Sequence, residues 1–191
     1  MSARSPARDR SSDKEDVTVF VDSDNAGDKE KRRSTVGQAI VVNGATVKTA
    51  CNLLACIGLS SAENEYYAIS AGACSGLGMQ GLLKDWGIES KAQIKSDSSA
   101  ARSFASRRGV GKMKHIQTRY LWTQERVARR HISLHKVPTA DNISDLLTKA
   151  QNKANIDKFM RELGQQYRSG RASTAKALIG QSKETKKIQK K

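Results

Sequence analysis

The run Val17-Thr18-Val19-Phe20-Val21 leads directly into Asp22-Ser23-Asp24-Asn25-Ala26-Gly27-Asp28, and no other junction constrains the fold of this chain as tightly. Five β-favouring residues bounded by turn formers are too few for a helix and read as a strand. An apolar run without alternation suits a strand covered on both faces, hence a central one. A carboxylate delivered at the end of such a strand destabilises the fold unless a cation meets it there. Asn25, Gly27 and Asp28 are also turn residues, so the acids of this stretch, taken alone, are equally an acidic turn.

The rest of the chain places that strand in an α/β domain. Residues 1–15 carry Ser, Arg and Asp without apolar periodicity, and residues 168–191 hold eight basic residues and one acid. Both are expected to be disordered tails around a domain at 16–167. Thr35–Val42 reads as a second strand and Asn43-Gly44 as a hairpin turn. A third strand is expected over Ala45–Leu59, irregular around Cys51-Asn52. Ser60-Ser61 followed by Glu63 is a helix-start pattern, with the helix running to about Trp86 and Gly87 as its stop. Gly72, Gly76, Gly78 and Gly81 lower its intrinsic stability, which close packing against another element would explain.

Beyond it come a short strand over Ala92–Ser96 ending at Asp97, a helix over Ser98–Ser106, and a basic loop, Arg107–Lys114. His115–Arg130 reads as an amphipathic helix and His131–Val137 as a half-buried strand, on which His131 and His135 have structural roles. A helix capped by Asp141 or Asn142 runs through Lys149, and a last one covers Ile156–Leu163. A three-strand meander followed by alternating elements predicts antiparallel pairing first and parallel pairing after it.

Lys and Arg total 34 against 19 Asp and Glu, a formal charge of +15. That excess calls for a polyanionic partner, nucleic acid or a membrane surface, and the domain itself is basic even without its tails. Three cysteines, an odd number without metal-ligand spacing, argue against a disulfide framework and for thiols in a reducing compartment. No apolar run is long enough to span a bilayer and the N-terminus has no signal-peptide core. The expectation is an intracellular protein, cytoplasmic or nuclear, without a membrane partner.

Four acids fall where elements meet: Asp22, Glu65 in the opening turns of the long helix, Asp97, and Asp145. Two of them end apolar strands. Carboxylate oxygens are the ligands that Mg²⁺ and Mn²⁺ prefer, and two such ions about 4 Å apart are a device for phosphodiester cleavage. A basic body that holds a polyanion fits the same substrate.

Six stretches then occur in order: Val21–Asp28, Arg33-Ser34-Thr35-Val36-Gly37, Leu59–Ala68 (LSSAENEYYA), Ser96-Asp97-Ser98-Ser99-Ala100, Lys114–Tyr120 (KHIQTRY) and Asn142–Lys149 (NISDLLTK). Together they resemble the ribonuclease H domain at the C-terminus of copia-type LTR-retrotransposon polyproteins, over about residues 17–164. The resemblance implies a ribonuclease H-like five-stranded mixed sheet flanked by helices. It implies Asp22, Glu65, Asp97 and Asp145 as catalytic acids holding two Mg²⁺ or Mn²⁺ ions, with Glu65 orienting the attacking water. It favours Glu65 over Glu63, leaving Glu63 as an exposed helix-start residue. Asp24 and His115 become auxiliary candidates. Arg107, Arg108, Lys112, Lys114 and Arg119 become candidates for contacting an RNA–DNA hybrid, whose RNA strand the family cuts. The chain departs from the family at Asn25, where Trp is frequent, at Thr49-Ala50, where an aromatic is common, and at Asn64, where a small residue stands. The reverse transcriptase domain that precedes this one in the family is absent from the sequence. The expected chain is therefore a fragment, a stand-alone gene or a domesticated copy, with a reverse transcriptase domain as a candidate partner.

Two other functions are compatible with parts of the pattern. A decayed or domesticated copy would keep the fold and basic surface as a nucleic-acid-binding module without catalysis. Asp-x-Asp after an apolar strand also opens haloacid dehalogenase-type phosphatases, but those need a doubly wound parallel sheet, which the Asn-Gly hairpin opposes.

Overall fold

The computed structural model describes residues 15–28, 30–111 and 113–167; the expected tails at 1–14 and 168–191, together with Lys29 and Lys112, lie outside them. The opening apolar run is β1 (Glu15–Ser23), and it is the middle strand of five. It pairs antiparallel with β2 (Thr35–Val42), which pairs antiparallel with β3 (Ala45–Leu53) across a tight turn. Asn43 and Gly44 take φ of 48° and 80° there, the left-handed pair that a two-residue hairpin needs. On its other side β1 pairs parallel with β4 (Ser90–Ser96), which pairs parallel with β5 (Ile132–Lys136). The order β3-β2-β1-β4-β5 is the mixed sheet of meander plus parallel strands that the ribonuclease H-like fold requires.

Both faces of β1 are covered, which is why its sequence does not alternate. Val17, Val19 and Val21 are fully buried in the main core with Tyr66, Ile69, Ile94 and Phe104. Phe20 packs on the opposite side with Ala39, Ile143, Phe159 and Leu163. The first face is closed by α1 (Ser61–Asp85), whose N-cap Ser60 accepts from the Glu63 N–H and whose stop is Gly87 at φ +77°. Two of its four glycines account for the fit. A Cβ at Gly72 would come within 2.5 Å of a Val21 methyl, and one at Gly76 within 3.3 Å of Val19, whereas Gly78 and Gly81 face open space. The opposite face is closed by α4 (Lys153–Glu162).

Several expected boundaries are corrected. β3 stops at Leu53 because the paired part of β2 begins at Thr35; Leu54 turns inward instead, its N–H donating to Ser34 O at 2.8 Å. The strand irregularity lies at Ile40/Val41 opposite Thr46–Lys48, not at Cys51-Asn52. α2 (Ser99–Ser106) forms as expected, capped by Ser98. The long helix over His115–Arg130 does not form. A short 3-10 turn, Thr118–Leu121, leads into α3 (Trp122–Ala128), while Ile116 folds into the core and the side chain of His115 is drawn to Glu63. The helix expected up to Lys149 is two 3-10 turns, Thr139–Asp141 and Ile143–Leu147. Between them Asn142 donates to Val21 O at 3.0 Å and Ser144 donates to Asn142 Oδ1 at 2.6 Å, so side chains here take up partners that compete with a regular helix.

Candidate metal centre

Parallel pairing sets the geometry of the centre. β1 and β4 run side by side with Phe20 opposite Lys95, so two residues further on the same register brings Asp22 beside Asp97. α1 starts above this edge and contributes Glu65 from its second turn. One carboxylate oxygen from each of Asp22, Glu65 and Asp97 lies within 4.8 Å of the other two. Oxygens sharing one Mg²⁺ at 2.0–2.1 Å stand roughly 3 to 4 Å apart, so the three need only a small side-chain adjustment to share an ion.

The electrostatics fit a cation. Glu65 is buried, and its Oε2 has no hydrogen-bond partner among the described residues. Burial, reinforced by the charges of Asp22 and Asp97, pushes its pKa up to about 8 against a backbone hydrogen bond from Ser23. Asp22 is raised to about 6, first by burial and then by Asp145, although Thr148 and Lys149 pull it down. Two carboxyls forced toward their neutral forms beside a third acid make a site short of positive charge. A divalent ion supplies that charge, and the donor set is all oxygen, as Mg²⁺ or Mn²⁺ prefers.

Asp145 joins the centre through a lysine. Lys149 Nζ lies 3.2 Å from Asp22 Oδ1 and 3.2 Å from Asp145 Oδ1. Burial works against its charge, yet Asp22 and Asp145 hold its pKa above the usual lysine range. The Thr148 hydroxyl donates to Asp22 Oδ2. The whole segment sits close on β2: a Cβ at Gly37 would meet Ser144 O and a Thr148 methyl, each at 2.8 Å. On the other strand Thr139 Oγ1 donates to Asp97 Oδ2 at 2.8 Å. Sequence reasoning offered Asn142 only as a helix cap and assigned no role to Thr139, Thr148 or Lys149. Thr148 and Lys149 lie in the NISDLLTK stretch, whose i,i+4 Asp145–Lys149 spacing was the readable signal.

The auxiliary candidates are placed elsewhere. Asp24 Oδ1 accepts from the Thr35 N–H at 2.7 Å and from the Gly27 N–H at 3.4 Å, so it organises the turn after β1. Asp28 Oδ1 accepts from the N–H groups of Glu30 and Lys31. His115 Nε2 is 2.8 Å from Glu63 Oε2. Glu63 itself corrects the expectation of an exposed helix-start acid: it is 2% exposed. Its carboxylate accepts from the Tyr67 hydroxyl and from the Leu59 N–H. Burial would raise its pKa, but these bonds and His115 outweigh burial and hold it below the usual value. Two of the three departures from the resembled family, Asn25 and Asn64, meet each other, Asn64 Nδ2 donating to Asn25 Oδ1 at 3.0 Å.

Among the basic candidates, Arg107 lies over the Phe104 ring at 4.5 Å and Arg119 over Tyr120 at 4.8 Å. Arg108 and Lys114 are exposed. Lys112 lies outside the described residues. A surface hollow lined by Arg108, Leu121, Gln124 and Arg129 contains none of the four acids. His131 pairs with Arg126 and His135 with Ser133, both at the surface. No helix among the described residues is long and apolar enough to cross a membrane.

No protein-family model matches the chain. It is 28% identical over 132 residues to the retrovirus-related Pol polyprotein from transposon TNT 1-94 of Nicotiana tabacum, covering 68% of this chain and 10% of that protein. The chain thus spans about a tenth of the length of the curated relative it matches. Among solved structures it is similar to the N-terminal RNase H domain of rv2228c from Mycobacterium tuberculosis, with 15% identity and a TM-score of 0.48, over 76% of this chain and 96% of that one. It is likewise similar to LC11-RNase H1 isolated from compost, at 17% identity and a TM-score of 0.48, over 75% and 96%. The chain is thus a five-stranded mixed-sheet α/β domain, with strand order β3-β2-β1-β4-β5, that is distantly similar in sequence to a retrovirus-related Pol polyprotein.

Proposed function

We propose that this domain is a metal-dependent endonuclease of retrotransposon type that hydrolyses the RNA strand of RNA–DNA hybrids. The observation that carries the reading is the convergence of Asp22, Glu65 and Asp97, with one buried Glu65 oxygen left without a hydrogen bond among the described residues. Asp22, Glu65 and Asp97 would hold one Mg²⁺ or Mn²⁺ ion, and Asp22 with Asp145 a second. Divalent ions so held would activate a water for attack on the phosphodiester and neutralise charge on the leaving oxygen.

The chain's own groups do the rest. Asp22 is shared by both halves of the centre, and the Thr148 hydroxyl fixes its orientation. Thr139 fixes Asp97. Glu65, whose pKa burial pushes up to about 8, would be held in its charged form by a bound ion and would orient the attacking water. The positive surface holds the backbone, and contacts to 2′-hydroxyls select RNA over DNA. In a longer polyprotein the partner would be a reverse transcriptase domain that produces the hybrid.

The test is cleavage of an end-labelled RNA–DNA hybrid in Mg²⁺ or Mn²⁺ by the wild type and by Asp97→Asn. The expected outcome is RNA-strand cleavage by the wild type only, with the variant slower by about a hundredfold or more and its hybrid binding retained. Wild-type binding without cleavage would replace this reading by that of a catalytically inactive nucleic-acid-binding module.

A further inference from the structure

Lys149 treats the two halves of the acidic centre unequally. Its ammonium touches Asp22 Oδ1 and Asp145 Oδ1, each at 3.2 Å, so that half already has a counter-charge. Among the described residues the other half has no ion pair of this kind, and there Glu65 keeps an unpaired buried oxygen. The lysine is also free to leave: 42% of its side chain is exposed, against none of Asp22 and 9% of Asp145. A flexible four-carbon stem with a strongly hydrated ammonium can swing into solvent or onto a phosphate without breaking the fold. Asp22 would not follow it, because Thr148 holds Oδ2 and the Asn142–Val21 bond ties the segment to β1.

From this arrangement we propose that Lys149 is a built-in counter-cation that keeps the Asp22–Asp145 half closed to a second divalent ion until a nucleic-acid phosphate draws the ammonium away. The proposal rests on the reading of the centre as a divalent-cation site. At rest the domain then holds one ion, at Asp22, Glu65 and Asp97. A second ion entering between Asp22 and Asp145 must displace a cation that is already paired with both. An incoming phosphodiester offers that cation another anion, which couples completion of the centre to the presence of substrate and limits idle two-ion occupancy. Binding of the ion and of the polyanion are then reciprocal, as linkage demands.

The experiment counts Mn²⁺ bound to the full chain, without nucleic acid, from the spin-resonance signal of the free ion. Wild type, Lys149→Gln and Lys149→Arg are compared, with circular-dichroism melts in chelator to establish folding. Lys149→Met, which keeps most of the stem, stands in wherever the Gln variant does not fold. The expected result is one ion on the wild type and on Lys149→Arg, over a concentration range in which the neutral variant binds two, its second ion at least tenfold tighter. Added Mn²⁺ should also raise the melting temperature of the neutral variant by more than that of the wild type. A second-ion affinity equal in wild type and neutral variant, with the first ion bound in both, would overturn the role of Lys149 and leave the metal reading standing. No ion bound by any of the proteins would overturn the metal reading itself, and the proposal with it.

Discussion

Glu65 is the residue on which the proposed chemistry turns. It is a carboxyl placed by α1 against two others, with more burial than solvation and one oxygen without a partner among the described residues. Its pKa of about 8 and that of Asp22 at about 6 lie above their ordinary values of 4.5 and 3.8. The folded metal-free protein therefore retains protons that the unfolded chain releases across this window. Because the folded state binds the extra protons, stability is lost as pH rises from about 4 to about 8. Melts in chelator should show Tm falling by several degrees over that range, and Mg²⁺ should flatten the dependence by replacing the protons. A Tm that climbs through the same window in chelator would contradict this description of the two carboxyls. Asp22 and Asp97 could be picked out in the sequence because each closes an apolar strand run, whereas the choice of Glu65 and Asp145 rested on the family resemblance. The fold brings Asp22, Glu65 and Asp97 together and links Asp145 to them through Lys149. The role of Glu63 was not legible. It reads as a solvated first-turn acid, and only the fold brings His115 to it across 52 residues and turns Tyr67 and the Leu59 N–H onto it. Lys149 was within sight, four residues after Asp145, but its second partner lies on a strand 127 residues away.

At the scale of elements, local signals and tertiary context divided the outcome. β2 and its Asn43-Gly44 turn, and α1 with Ser60 and Gly87 at its ends, carry their instructions in adjacent residues, and those boundaries were readable. The segment after Lys114 and the one before Lys149 carry helix-like patterns, yet their polar side chains are satisfied from other elements. Asn142 takes Val21 O, His115 takes Glu63, and Gln124 binds both the N–H and the carbonyl of Gly109. Those partners shorten one helix and tighten the other into 3-10 turns. The glycines of α1 give a paired prediction. Gly72→Ala should destabilise by about 1–3 kcal/mol because its methyl collides with Val21 in a packed core. Gly78→Ala should stabilise by about 0.5–1 kcal/mol, since nothing lies within 4 Å and only helix propensity changes. Denaturant melts of the two variants check the sign at each position; equal effects would mean that α1 does not lie against β1 as described.

At the scale of the whole molecule, the parallel pairing of β1 with β4 and the crossover through α1 bring three acids from far-apart positions to one sheet edge. The full chain carries a formal charge of +15. Hybrid affinity should fall steeply with salt, linearly on a log–log plot. Replacing Arg108 or Lys114 by Ala should make that slope shallower by about one unit for each phosphate that the protein no longer neutralises. Arg107 and Arg119, which lie over aromatic rings, should also lose packing when truncated. A slope unchanged by all four substitutions would move the binding surface elsewhere. The proposed chemistry depends throughout on a divalent ion at the sheet edge. The most direct measurement is anomalous diffraction at the manganese edge from crystals equilibrated with Mn²⁺. The expected result is a peak bonded to oxygens of Asp22, Glu65 and Asp97. A structure at saturating Mn²⁺ with no peak there, or with the ion held elsewhere, would contradict it.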